Sequence, residues 1–194
     1  MKNGYEKTST DVITRRAGIS KGILFHYFKS KKNLYLYLVN YVLDLLTEKT
    51  MEAFRKIQSD DYFERIKEIA LLKQKLAVQY LQESQFISDA LVNPPVAVKK
   101  EMEEIIKKYY ETYQGDFLLE HVYIKDLIQT EKLRDDISVD TVVNMTMLIV
   151  DQLSNKYWAL YKNKQIDIMN SMESSIRELD DYLKIVKYGI YKPE

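Results

Sequence analysis

Turn-making residues are scarce in this chain: five glycines and three prolines are spread over 194 residues. Sandwiches and barrels need those residues at their many turns, so the shortage argues for long, uninterrupted helices. From about residue 34 onward the apolar residues recur at helical period. The segment "NLYLYLVNYVLDLL" predicts a stripe of Leu34, Leu38, Tyr41 and Leu45 on a helix running from Ser30 to about Asp60, with a break near 58–61. A second helix is expected from Asp61 to Glu83, with Ile66, Ile69, Leu72, Leu76 and Tyr80 on one face. A short helix over 85–92 stops at Asn93-Pro94-Pro95, because proline lacks the amide donor and restricts its predecessor. The next helix starts near Pro95 and runs towards Tyr123, with Gly115 as a kink or break.

Ser138 reads as the cap of a further helix, "VDTVVNMTMLIVDQLSNKYWALY", which is apolar on more than one face. A helix of that kind is buried on both sides, one against its own core and one against a partner. The final helix, about 167–188, sets Ile176, Leu179, Leu183, Val186 and Ile190 at 3,4,3,4 spacing, a narrow seam suited to helix pairing. Together the two helices predict a homodimer joined through a four-helix bundle.

The chain has no cysteine, which excludes disulfides, thiolate catalysis and cysteine-held metals and suits a reducing compartment. No apolar run approaches the roughly 18 residues of a membrane span. The opening "MKNGYEKTST" lacks the apolar stretch of a signal peptide, so a cytoplasmic location is expected. The net charge is zero, but it is unevenly placed. Residues 1–32 hold eight Lys/Arg against two acids, a net +6, and the remainder is −6. A short basic end on an acidic body points to a polyanionic partner.

That basic end contains "TSTDVITRRAGISKGILFHYFKSKKNL". Thr8 followed by Asp11 is a capping-box pattern, opening a short helix with Val12, Ile13 and Ala17 inward. Gly18 stands where a helix exit needs left-handed backbone, and Ile19 is expected to plug the turn. Ser20 then caps a second helix over Lys21 to Tyr27, and Ser30 caps a third. Two short helices around a tight glycine turn form a helix-turn-helix, whose second helix enters the major groove of duplex DNA. Leu24 and Phe28 are expected to face inward. Ser20, Lys21 and Lys31 can reach phosphates, while Phe25, His26 and Tyr27 can meet thymine methyls or phosphates. Gly22 costs about 1 kcal/mol against alanine in a helix interior, a cost tolerated where backbone must approach something bulky.

The pattern Gly4-Tyr5, Thr8-Ser9, Ala17-Gly18-Ile19-Ser20, Lys21-Gly22, Leu24, Tyr27-Phe28, Lys29, Lys31 and Leu34 resembles the DNA-binding domain of TetR-family transcriptional regulators. The likeness in spacing and residue type covers roughly residues 4–46; the rest of the chain is similar only in plan. The resemblance implies an all-α protein with a helix-turn-helix DNA-binding domain over 1–46. A larger helical ligand-binding and dimerisation domain follows over 47–194. It implies a homodimer that binds a double-stranded DNA operator and, as a repressor, is released by a small-molecule effector. By position it implies DNA contacts at Thr10, Ser20, Lys21, Gly22, Phe25, His26, Tyr27 and Lys31. The order "FHY" departs from the family's commoner "YYH" or "YYY", so the ring that meets a base stays open. The resemblance also implies an amphipathic helix ahead of Gly4-Tyr5. Met1 stands only three residues before Gly4, so the expectation is either a frame that extends upstream or a weakened DNA head.

Other chemistry finds no footing. The two histidines, His26 and His121, have no metal-ligand partner at helical spacing, and Leu118 occupies the place of the glutamate in a Glu-x-x-His motif. Neither a phosphate-cradling glycine loop nor a nucleophile elbow is present, so no enzyme, metal or cofactor is expected. Aromatics in the larger domain, among them Phe86, Tyr109, Tyr113, Phe117 and Trp158, are candidates to line a pocket between helices. With no buried charge legible, the expected effector is hydrophobic and neutral or weakly polar. The competing expectation is a helical ligand-binding or protein-interaction dimer without DNA binding.

Overall fold

The computed structural model describes residues 4–113, 120–167 and 171–190, and among them there is no strand. In chain order the helices are α1 (Gly4–Lys7), α2 (Thr10–Ala17), α3 (Lys21–Phe28), α4 (Lys31–Phe54), α5 (Tyr62–Gln79), α6 (Leu81–Val92), α7 (Lys99–Tyr113), α8 (Val139–Lys162) and α9 (Met172–Ile190). Short 3-10 turns lie at Val96–Val98, Lys125–Leu127 and Thr130–Lys132. The chain divides into two compact units, residues 1–49 with 80–112 and residues 50–79 with 113–194.

The core of the first unit joins Tyr35, Val39, Val42 and Leu43 of α4 to Ile87 and Ala90 of α6, with Val98 and Met102. The buried stripe of α4 is therefore turned from the expected one. Tyr41 is exposed and Leu38 and Leu45 are half-buried, while Leu34, Tyr35, Val39, Val42 and Leu43 are buried. Alternating Tyr and Leu in "LYLYLVNY" leave several faces equally apolar, so tertiary packing chooses between them. Val98, Met102, Ile105, Ile106 and Tyr109 follow helical spacing and seat the start of α7 on the same core.

The second unit is built on Tyr62, Phe63, Ile66 and Ile69 of α5, Val142, Val143 and Leu153 of α8, and Leu179, Leu183 and Val186 of α9, with Phe54, Val122, Tyr123, Ile128 and Leu133. Asp61 starts α5 by accepting the amides of Phe63 and Glu64 on Oδ1, each at 3.0 Å, while Oδ2 meets Lys187 Nζ at 2.9 Å. Burial raises this carboxyl, but the hydrogen bonds from Lys187 and from the Glu64 and Phe63 amides outweigh it, leaving it below the usual carboxylate range. Inside the core, the Tyr62 hydroxyl and Thr146 Oγ1 lie 2.6 Å apart and tie α5 to α8. Burial pushes the Tyr62 phenol up to about 12 against the opposing Thr146 bond. Ser138 caps α8 as expected, accepting the Thr141 amide at 3.1 Å.

Two expectations change here. The expected helix over 61–83 ends at Gln79 and α6 begins at Leu81; Tyr80 breaks them, with φ −111° and ψ 46°, where no glycine or proline marks the site. The α9 seam of Leu179, Leu183 and Val186 faces the core of its own unit rather than a partner. The side chain of Ile190 lies outside the described residues, as does Gly115. The outward apolar residues are instead Met145 and Leu148 on α8 and Tyr182, Ile185 and Tyr188 on α9, with Leu148 60% and Ile185 71% exposed.

Candidate nucleic-acid interface

Three neighbouring serines begin the three helices that shape the N-terminal face. Ser9 Oγ accepts the Val12 amide at 3.3 Å, Ser20 Oγ the Ile23 amide at 3.2 Å and Ser30 Oγ the Asn33 amide at 3.0 Å. The cap of α2 is thus Ser9, not the expected Thr8, whose hydroxyl donates to the Gly4 carbonyl at 2.6 Å. Gly18, left-handed at φ 66°, turns the chain from α2 into α3. Ile19 does not plug that turn; it is exposed, as is Ala17. On α2, Thr14 is the buried residue, with Val12 and Ile13 half-buried.

α3 is anchored by Leu24, 1% exposed, with Phe28 half-buried behind it. Lys21, Gly22, Phe25, His26 and Tyr27 all face outward, Tyr27 being 73% exposed, and the His26 and Tyr27 rings meet edge-on at 5.2 Å. Ser20 is exposed at the start of the helix and Thr10 half-buried at the start of α2. Ile23, not picked out from sequence, is exposed between them; its offset of four from Tyr27 is the signal that places both on one side. A Cβ added to Gly22 would meet only Ser20 Oγ, at 3.7 Å. Nothing in the described chain therefore requires glycine there.

The charges of this face are partly engaged. Lys21 Nζ lies 2.5 Å from Asp11 Oδ1, both side chains being more than half exposed. Asp11, read from the sequence only as a capping-box partner, is here the counter-charge of Lys21. Lys31, half-buried, holds its Nζ 4.1 Å from the centre of the Tyr5 ring. Lys32 meets Glu101 at 2.6 Å, and this hydrogen bond holds the Glu101 carboxyl below the usual carboxylate range. Lys29 ends α3 in a left-handed backbone at φ 62°, its Nζ donating to the His26 carbonyl at 2.7 Å. The arrangement offers helix-start amides, ammonium groups and exposed rings on one surface, which is chemistry for phosphates and base edges.

The aromatics expected at a pocket fall in different places. Phe86 and Tyr109 pack against the core of the first unit, Phe86 edge-on to Tyr35 at 5.5 Å. Trp158 belongs to the second unit, its ring 5.5 Å from Tyr161. Phe117 and the side chain of Tyr113 lie outside the described residues. Among the described residues no group of three His, Asp or Glu could hold a metal, and no helix is long and apolar enough to cross a membrane.

Comparison with known proteins agrees with this geometry. Residues 1–38 match the family model described as bacterial regulatory proteins, tetR family, and residues 60–191 match the one described as tetracyclin repressor-like, C-terminal domain. The fatty acid metabolism regulator protein of Bacillus subtilis is 21% identical over 188 residues, covering 92% of this chain and 86% of that protein. The HTH-type transcriptional regulator QacR of Staphylococcus aureus is 45% identical over 40 residues, 21% of each chain. The solved TetR family transcriptional regulator PfmR from Thermus thermophilus shares the fold, with a TM-score of 0.57, 14% identity and coverage of 94% of this chain and 91% of that one.

Proposed function

The chain belongs to the TetR family of bacterial regulatory proteins, which are DNA-binding transcriptional regulators rather than enzymes, and from that premise we propose a homodimeric, cytoplasmic repressor released by a small hydrophobic effector. Residues 1–46 form the DNA-binding part and 47–194 the ligand-binding and dimerisation part. In each protomer Thr10, Ser20, Lys21, Gly22, Phe25, His26, Tyr27 and Lys31 meet the operator. The observation that carries the reading is α3 itself. One fully buried residue, Leu24, pins a helix whose outer side holds lysine, glycine and rings. Gly22 has open space where an alanine would sit more stably, and a closely approaching DNA strand supplies the reason.

Dimerisation follows from the outward residues of α8 and α9. Met145, Leu148, Tyr182, Ile185 and Tyr188 form exposed apolar surface on two neighbouring helices, which a second copy covers as a four-helix bundle. The pocket aromatics Tyr113, Phe117 and Trp158 remain proposed effector contacts, with Phe86 and Tyr109 further candidates.

Selection of bound duplexes from a random pool tests the function. The expected product is a near-palindrome whose half-site centres lie about one helical turn apart, ~34–36 Å, or a multiple of it. Failure to enrich any sequence over the starting pool would refute operator recognition. By linkage, an effector that binds the protein must weaken operator binding by the factor by which operator weakens its own; independent binding would refute release.

A further inference from the structure

A recognition helix meets base edges chiefly through its N-terminal residues. In α3 those are Ser20 to Leu24, and most of them are spoken for. Ser20 Oγ accepts the Ile23 amide at 3.2 Å. Lys21 Nζ lies 2.5 Å from Asp11, and its ammonium suits a phosphate once released. Gly22 has no side chain, and a Cβ there would meet only Ser20 Oγ. Leu24 is buried in the protein. Ile23 remains, 47% exposed. By helical spacing Gly22, Ile23 and His26 lie around the side of α3 opposite Leu24 and Phe28. The glycine lets the helix backbone come close to DNA, which carries the neighbouring isoleucine into the groove.

An isoleucine side chain has no hydrogen bond to offer a base. The one apolar feature on the major-groove edges is the C5-methyl group of thymine. The helix, "KGILFHYF", also lacks the arginine, asparagine, glutamine and acids that read bases through hydrogen bonds in that groove. Ile23 is not a solitary surface hydrophobe. Tyr27, four residues on, shares its side, and Phe25 is exposed on the same helix. Nor does the helix itself call for isoleucine, since alanine is the better helix former. We propose that Ile23 is a specificity-determining residue that packs on a thymine methyl in each half-site. The operator then carries thymine at that position for its methyl group. The inference rests on the reading of α3 as the helix that enters the groove, and it adds a residue to that reading and the base the residue selects.

Deoxyuridine pairs as thymine does but lacks the methyl, so it isolates this contact. The operator enriched from the random pool is remade with each thymine replaced by deoxyuridine, one symmetric pair of positions at a time. Affinity for the full chain is read by fluorescence anisotropy at a fixed low salt, where phosphate contacts sustain measurable binding. One pair of positions should weaken parent binding about 15-fold, or about 4-fold per half-site, the effect of one buried methyl in each. At that pair Ile23→Ala should bind the thymine and deoxyuridine operators equally, and Ile23→Val should keep most of the discrimination. A parent that tolerates deoxyuridine at every thymine overturns the assignment without any variant, as does a half-site that contains no thymine. So does discrimination that persists in Ile23→Ala, which would give the methyl to another side chain. A pool that enriches no sequence sinks the operator reading and this assignment with it. An enriched operator with no methyl-sensitive thymine sinks this assignment alone.

Discussion

Asp11 is expected to hold back DNA binding, and replacing it with asparagine measures by how much. Its carboxylate lies 2.5 Å from the Lys21 ammonium, the first side chain of α3. For Lys21 to reach a phosphate, that contact must be given up. The two side chains are 53% and 55% exposed, so water and salt screen the pair. Exposed pairs of this kind are worth about 0.2–1 kcal/mol. Removing the pair therefore raises operator affinity by about 1.4- to 5-fold per protomer, or roughly 2- to 30-fold for a dimer engaging two half-sites. Lys21 meets the same phosphate in parent and variant, so the log–log salt slope should change by less than the roughly 0.9 that a whole phosphate contact contributes. Fluorescence anisotropy with the selected operator, across about 50–200 mM salt, reads both quantities. Thermal stability should stay within about 0.5 kcal/mol of the parent, as for other surface changes. If Asp11→Asn binds the operator no more tightly than the parent, Lys21 is not restrained by Asp11.

Gly22→Ala should leave the fold as stable or up to about 1 kcal/mol more stable, because alanine favours helix and its Cβ finds open space. Operator affinity should nevertheless fall, and undiminished binding would remove the argument from close backbone approach. Thr146→Val strands the buried Tyr62 hydroxyl and should cost about 1–3 kcal/mol in urea unfolding. Adding Tyr62→Phe removes the stranded group, so the double variant should lose less than the two single losses together; strict additivity would contradict the bond. Asp61 and Asp180 both have folded pKa values below their ordinary 3.8, Asp180 through hydrogen bonds from Lys184 and Lys67 that outweigh burial. Their contribution is complete above about pH 4 and is lost as pH falls through the lower folded values. The urea midpoint should drop over that acid range, and Asp61→Asn should make the drop shallower.

The helix-turn-helix was legible because its determinants are local. Ser20, Gly18 and Ser30 act within a few residues of themselves, and Leu24 with Phe28 behind it turns inward at helical spacing among exposed neighbours. Ser138 announced α8 for the same reason. Where two hydroxyls stood side by side, at Thr8 and Ser9, spacing alone chose the wrong cap. Longer-range facts were hidden. Which apolar face of α4 is buried depends on Ile87 and Met102, far along the chain. The break at Tyr80 carries no breaker residue. The 3,4 seam of α9 marked a real contact, but periodicity cannot say whether the other helix belongs to the same molecule or to its twin.

The open space beside Gly22 bears on descent as well as on binding. Selection for stability alone favours replacing this glycine, since the substitution improves the helix and crowds nothing inside the protein. On the reading proposed above, the need to read an operator is what keeps it. In lineages where that need has lapsed, alanine at this position should be among the earliest changes to accumulate, and it would mark a regulator that has stopped regulating before its other helices show any decay.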